Sequence, residues 1–366
     1  MRILCGIWLA AVQFSAGQSG KTKHAAPAAK QGIQTPGVQI PFASLKADAE
    51  LPSAPLWMIF ADSVLIPNKA GGLDRFDAKT NKLADPVAGT RNLCGGAATG
   101  FASLWIPDCA AHGLVRLDEK VAADPKAPAR GRGRGRGAAP ENAANDNKDE
   151  NPPEKKLADP VNIASGTGSA IPSVAATADS VWILSDDKTT LSRVDPDENK
   201  VVSELRLPAG CNSLTFGETA LWVTCPAENR VLRVNPITTM VEKRIEVSVQ
   251  PAALAIGESS LWVLCLKEGK IDRIDPKTNK VSKTVETGVS GSAAGGLAFG
   301  GGSLWVTLPG FPVTRIDPKD EKVVQQFRGP GGGAIFFGQN SVWLTNIQEG
   351  TLWRIDPKRI VATLAE

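Results

Sequence analysis

The sequence predicts an all-β protein, a seven-bladed β-propeller of four-stranded antiparallel blades, on three observations. An apolar pentad, centred on Trp in six of its copies, recurs seven times along the 366 residues. An Arg-x-Asp or Arg-x-Asn triplet follows every copy after ten or eleven residues. Gly and Pro are abundant, at 36 and 26 residues, as a chain of short strands and frequent turns requires.

The pentads begin at Ser63, Ser103, Ser180, Ala220, Ser260, Ser303 and Ser341, and their central residues are Leu65, Trp105, Trp182, Trp222, Trp262, Trp305 and Trp343. Successive anchors lie 38 to 43 residues apart, except for one interval of 77. The triplets start at Arg75, Arg116, Arg193, Arg233, Arg273, Arg315 and Arg354, and in five of them Pro comes next. A string such as Asp275-Pro-Lys-Thr-Asn-Lys builds a turn: Asp caps with its carboxylate, Pro presets φ, and Asn tolerates the left-handed region. The triplet therefore closes the third strand of each unit and the turn leads to the fourth. Leu214-Thr-Phe-Gly before the pentad of the fourth unit supplies the first strand of the same pattern. Four strands in roughly 40 to 45 residues is the period of a propeller blade, and a lone blade cannot bury both faces. Anchors and triplets repeat in every blade, so they are expected to serve the scaffold and not a site.

The 77-residue interval marks an insertion. Lys82-Leu-Ala-Asp-Pro-Val, in the fourth strand of blade one, recurs at Lys156-Leu-Ala-Asp-Pro-Val, so residues 121–154 form an excursion in blade two. It carries the run Arg130-Gly-Arg-Gly-Arg-Gly-Arg-Gly and is expected to be disordered. The chain starts with Arg2, an apolar run from Ile3 to Phe14 and the small residues Ser15-Ala16-Gly17, which read as a signal peptide over 1–17. Residues 18–37 read as a disordered leader and 38–366 as the propeller. Export to the periplasm or the extracellular space follows, with no membrane span after signal cleavage, because no run reaches the roughly 20 apolar residues a span needs. Lys and Arg number 41 against 38 Asp and Glu, and a net charge of +3 gives no case for a nucleic-acid partner. The ring has two candidate closing segments: Ile360–Leu364 as the fourth strand of blade seven, or Val38–Leu45 as an edge strand from the N-terminus.

The pattern Phe-Gly-x-x-Ser-Leu-Trp-Val-Thr followed by Arg-Ile-Asp-Pro-x-Thr-Asn-Lys-Val resembles the streptogramin B lyase and YVTN-type propellers over residues 51 to 366. The resemblance implies the propeller fold. Lyases of that family hold magnesium with two histidines and a glutamate near the central channel. This chain has only His24 and His112, so no catalytic residue carries over and streptogramin lyase activity is not implied.

Two disulfides are expected, Cys94–Cys109 and Cys211–Cys225, because each pair brackets a first-to-second-strand turn. The spacing for Cys94 and Cys109 carries one extra residue, which implies a bulge or a diagonal pair. An exported chain meets the oxidising conditions that such bridges need. The position mirroring Cys265 is Pro251, which leaves Cys265 a free buried thiol. Trp353 falls off the pattern and can be exposed.

Function is expected where blades differ, in the loops on the face where first strands begin and second strands end. The ligand-binding candidates entering first strands are Arg91, Asn92, Asn212 and Gln250. Those leaving second strands are Asp108, His112, Asp186, Asp187, Glu228 and Asn346. The reading is a monomeric binding or interaction scaffold for a small molecule, a peptide or an envelope polymer, without a cofactor. The alternative is a lyase or lactonase that uses a divalent cation held by carboxylates on that face.

Overall fold

A computed structural model describes residues 31–87, 90–118, 161–162, 173–185 and 189–364. Seven antiparallel blades occupy residues 59–84, 98–118 with 161–162, 173–185 with 190–206, 213–246, 251–286, 296–328 and 333–355. From blade two to blade seven, the first strands of successive blades pack on one another. The signal peptide, residues 18–30 of the leader and the insertion at 121–154 lie outside the described residues. Residues 31–37, which composition assigns to the leader, are placed: the Gly32 amide donates to Gly288 O at 2.8 Å and the Ile33 amide to Gln326 Oε1 at 2.8 Å. In blade two the fourth strand is Val161–Asn162, paired with Gly113 and Leu114.

First and second strands meet in two-residue turns in blades two to seven and through Ala61–Ser63 in blade one. In blade four Gly217 pairs with Ala220, and Glu218 and Thr219 between them take φ of 49° and 63°. Two left-handed residues match the strand twist and make the tight hairpin. Second strands such as Ala220–Cys225 are buried at every position, between the third strand of their own blade and both neighbouring blades. The six Trp anchors and Leu65 are at most 1% exposed. Five of the six indoles donate to the carbonyl of the Gly five residues earlier, as Trp262 Nε1 does to Gly257 O at 3.1 Å. That Gly must lack a side chain because of what packs on it. A Cβ built on Gly300 falls 2.0 Å from the Phe337 ring of the next blade, so the Phe-Gly pair is an inter-blade joint.

The Arg of each triplet has a structural role. Its guanidinium lies over the anchor indole, 4.9 to 5.8 Å from the ring centroid in blades two to five and seven. Its Nε donates to the pentad Ser, at 2.9 Å from Arg116 to Ser103 and from Arg354 to Ser341. In four blades its Nη1 reaches the turn of the next blade, with Arg273 bonding Glu321 Oε1 at 2.6 Å, whereas Arg315 Nη1 bonds Gln325 Oε1 of its own blade. Arg116 reaches Pro196 O and Asn199 Oδ1, Arg233 reaches Pro276 O and Asn279 Oδ1, and Arg354 crosses from blade seven to Ala78 O and Asn81 Oδ1 of blade one. The turn Asn therefore caps its own left-handed position, φ 52° to 57°, and accepts the neighbour's Arg. The Asp that opens each turn takes backbone amides onto its carboxylate. Those bonds hold Asp77, Asp195, Asp275 and Asp317 below the ordinary carboxylate range.

Blade four breaks this pattern in a way that makes a prediction. Ala220 stands where the other pentads carry Ser, and Arg233 Nε is buried without a hydrogen bond, its nearest anion being Glu242 Oε2 at 3.3 Å and out of line. Ala220→Ser restores the acceptor and is expected to stabilise the protein by about 0.5–1.5 kcal/mol, read as a raised urea midpoint. An unchanged or lowered midpoint contradicts the role given to the Ser.

Ring closure differs from both sequence expectations. The fourth strand of blade seven is Ala49–Leu51 (β2), antiparallel to Thr351–Ile355. Within the N-terminal candidate segment, Gln39–Pro41 (β1) does become an edge strand, but as a fifth, parallel strand on blade six. Ile360 lies in a short helix, Pro357–Ala362, whose first turn is fixed by Pro357 and the Asp356 cap. Between the two strands a 3-10 turn brings Phe42 onto Trp353, with ring centroids 5.1 Å apart. Trp353 is therefore half-buried and not free on the surface. No helix among the described residues is long and apolar enough to cross a membrane.

Candidate functional site

The face where first strands begin carries the two disulfides, Cys94–Cys109 with Cα atoms 5.8 Å apart and Cys211–Cys225 at 4.0 Å. The register explains how the pairs meet. Gly217 opposite Ala220 centres the hairpin between Glu218 and Thr219, which alone would set Cys225 opposite Asn212. An extra residue at Asn212, whose amide donates to Thr224 O at 2.9 Å, brings Cys211 alongside instead. Blade five shows the same shift in its ladder, from Ala253↔Leu264 to Pro251↔Cys265. In blade two the register moves by two residues, from Gly100↔Ser103 to Leu93↔Asp108, which is the bulge the extra residue implies. Cys265 is free and fully buried, and burial followed by the charge of Asp272 pushes its thiol well above the ordinary range.

Pro251 and Cys265 are cross-strand partners at the positions that hold cystines in blade four. Pro251→Cys is expected to close a third bridge. In protein lacking residues 1–17, thiol labelling in non-reducing denaturant then falls from one group to none. A loop of this size closed by a bridge stabilises by about 3 kcal/mol. More than one reactive thiol in the parent protein contradicts the two native bridges.

Most candidate residues spend their polar groups on the loops themselves. Asp108 is buried and accepts from the amides of Ala110 and Ala111, both at 2.9 Å. Asn212 Oδ1 accepts from Thr224 Oγ1 at 2.6 Å. The Gln250 amide donates to Asn229 Oδ1 at 3.0 Å, which ties the exit of blade four to the start of blade five. Glu228 is exposed, 3.9 Å from Arg230. Asn346 is fully buried; its Oδ1 accepts from the Gly332 amide at 2.9 Å and its Nδ2 donates to Thr351 Oγ1 at 3.3 Å. The Asn92 carbonyl accepts from the Cys109 amide at 3.3 Å. Arg91, Asn92 and His112 are exposed, and the latter two take left-handed φ of 59° and 50°. Asp186 and Asp187 lie outside the described residues. Among the described residues no three His, Cys, Asp or Glu side chains come together closely enough to hold a metal ion.

A concave feature of this face lies at the junction of blades six and seven. A cavity of about 340 Å³ opens there, between the second-strand end of blade six at Thr307–Leu308 and the loop that follows the second strand of blade seven at Ile347–Gln348. Its wall is the run Gly329-Pro-Gly-Gly-Gly. Gly331, Gly332 and Gly333 take φ of 110°, 86° and 155°, and a Cβ on Gly332 would fall 2.6 Å from Thr307 Oγ1. Asn346, one of the ten candidates, pins this wall from behind. Sequence reasoning passed over Thr307, Gln348 and the glycines. The signal was available, since no other blade junction carries such a run. No ionisable side chain lines the cavity, and none occurs in any of the seven first strands around the axis.

Fold and face together define a seven-bladed propeller with a stapled loop face and one neutral cavity between its last two blades. The solved structures place it more closely. Streptogramin B lyase is similar with a TM-score of 0.61 at 16% identity, over 83% of this chain and 94% of that one. BamB from Moraxella catarrhalis is similar with a TM-score of 0.53 at 12% identity, over 81% of this chain and 80% of that one. At these identities the likeness is one of fold, a streptogramin B lyase-like propeller. No protein-family model and no curated protein sequence matches the chain.

Proposed function

We propose that this chain is an exported, monomeric binding propeller that receives its ligand on the loop face, at the cavity between blades six and seven. What carries the reading is the coincidence of a preformed cavity with the face on which blades differ, its wall fixed by the buried side chains of Asn346 and Thr307. A cavity near the lower end of the roughly 300–1,000 Å³ typical of ligand sites suits a small molecule or one anchoring group of a larger partner. Two disulfides are compatible with export, since such bridges persist in oxidising compartments.

A thermal-shift series against divalent cations, sugars, streptogramins and neutral peptides tests this. A ligand that binds only the native state at 100 times its Kd adds about 2.7 kcal/mol of apparent stability. The expected result is a shift with an uncharged ligand that is lost when the loop face is altered. A shift with divalent cations that depends on His112 or Glu228 would instead favour the metal-dependent alternative, which turnover of a lactone or streptogramin would then have to show.

A further inference from the structure

Resting on that reading of the loop face, we infer that the cavity between blades six and seven selects a small uncharged molecule with one accepting oxygen on an apolar body. Ketones, esters and amides are of this class, and Thr307 Oγ1 donates to that oxygen. Comparison of the three Thr that end a pentad leads there. Thr224, Thr307 and Thr345 hold the same place in blades four, six and seven, and all three are at most 1% exposed. Thr224 Oγ1 donates to Asn212 Oδ1 at 2.6 Å, and Thr345 Oγ1 donates to Pro55 O at 2.7 Å. Thr307 Oγ1 only accepts, from the Gly333 amide at 3.4 Å, and its hydroxyl proton has no acceptor among the described residues. A buried donor left without an acceptor is costly, and the other two copies of the motif avoid that cost. In blade six the acceptor is left to whatever enters the cavity. Thr307 lines it, and so does Gly332, where a Cβ would fall 2.6 Å from Thr307 Oγ1. Glycine at 332 therefore leaves the hydroxyl unshielded.

The remaining lining groups set the rest of the class. They include Leu308, Pro309, Pro330 and Ile347 but no Asp, Glu, Lys, Arg or His. An anion would exchange its hydration for a single hydroxyl with no counter-charge, and a cation would meet a proton donor. A sugar fails for a different reason. Apart from Thr307, the polar side chain of the lining is that of Gln348, which is exposed, so most of a sugar's hydroxyls would be buried unpaired. An apolar body gains by leaving water for this wall, and one accepting oxygen on it satisfies the one buried donor.

Ligand-observed NMR titration of the full chain with acetophenone, ethylbenzene, benzoate and benzylammonium tests this. Acetophenone is expected to bind about fivefold more tightly than ethylbenzene, the scale of one net hydrogen bond. It is expected to bind about tenfold more tightly than either ion. Thr307→Val is expected to remove the preference for the ketone over the hydrocarbon, and Thr307→Ser, which keeps the hydroxyl, to retain it. Ile347→Glu, a change at a half-exposed lining residue, is expected to weaken both neutral probes about tenfold. Ile237→Glu, at a fourth-strand turn on the opposite face, is expected to leave both unchanged. The comparison of acetophenone with ethylbenzene needs no variant, so it decides the matter even where a Thr307 substitution fails to fold. Equal affinity for those two in the parent means that a buried water serves Thr307, and overturns the inference. A ketone preference that survives Thr307→Val, or binding indifferent to Ile347→Glu, overturns it as well. No probe binding up to 10 mM, while a sugar or neutral peptide binds in a way lost in Ile347→Glu, overturns the ligand class and leaves the loop-face reading standing. Absence of any ligand binding to that face removes both.

Discussion

Deleting the chain through Leu51 is expected to abolish the cooperative thermal transition, although none of the seven pentads or triplets is touched. The segment supplies β2, without which blade seven has three strands and an open edge against the ring, and β1, which covers blade six. It buries Ile40, Phe42, Leu45 and Leu51, all at 7% exposure or less. At about 1.5–3 kcal/mol for each buried side chain, the loss is roughly 6–12 kcal/mol, comparable with the whole stability of an ordinary domain. Asp48→Ala is the matched control. Asp48 pairs with Arg359 and accepts from the Asp356 amide at the surface, where such pairs are worth about 1 kcal/mol or less. Circular dichroism melting of the two variants reads the difference. A truncated chain that melts like the parent would show that the repeats close the ring unaided.

The second large effect is expected at an anchor. Trp262 is fully buried, donates to Gly257 O and has the Arg273 guanidinium 5.1 Å from its ring. Removing it leaves a cavity across the blade five and six joint and strands the Gly257 carbonyl and Arg273, so Trp262→Ala is expected to cost about 3–5 kcal/mol. Trp353→Ala should cost markedly less, because that indole is half-buried and its Nε1 has no acceptor to lose. Urea unfolding should show the midpoint falling much further for Trp262→Ala, with little change of slope. Equal costs would place Trp353 among the structural anchors and remove the distinction drawn from repeat position.

This contrast also shows what was legible in the sequence. Seven copies of one motif give the blade count, and the pentads and triplets fall in second and third strands because their periodicity is that of a blade. The rule that a residue present in every blade serves the scaffold holds in detail for the Arg side chains, which clasp indole, Ser and the neighbouring turn. That Arg116, Arg233, Arg273 and Arg354 reach into the next blade was not legible, since it depends on packing between blades. Ring closure was not legible for a different reason. Ala49-Glu-Leu is three residues without a motif, and its partner strand lies some 300 residues away. The cystine pairs were legible from spacing, although the bulge at Asn212 is what brings Cys211 and Cys225 together. Of the candidate site residues, Asn346 is the one that touches the cavity wall. It does so as a buried brace, which a sequence does not distinguish from a ligand contact.

The central claim is that the repeated features build the ring while the unrepeated Gly329–Gly333 wall and its neighbours receive the ligand. Hydrogen exchange of the full chain, with and without a saturating uncharged ligand from the thermal-shift series, tests it most directly. Added protection is expected at residues 307–310, 329–333 and 347–348, with the turns at Asp77, Asp195, Asp275 and Asp317 unchanged. Protection confined to the Asp108–His112 loop or to Glu228, or spread over those turns, would contradict the account.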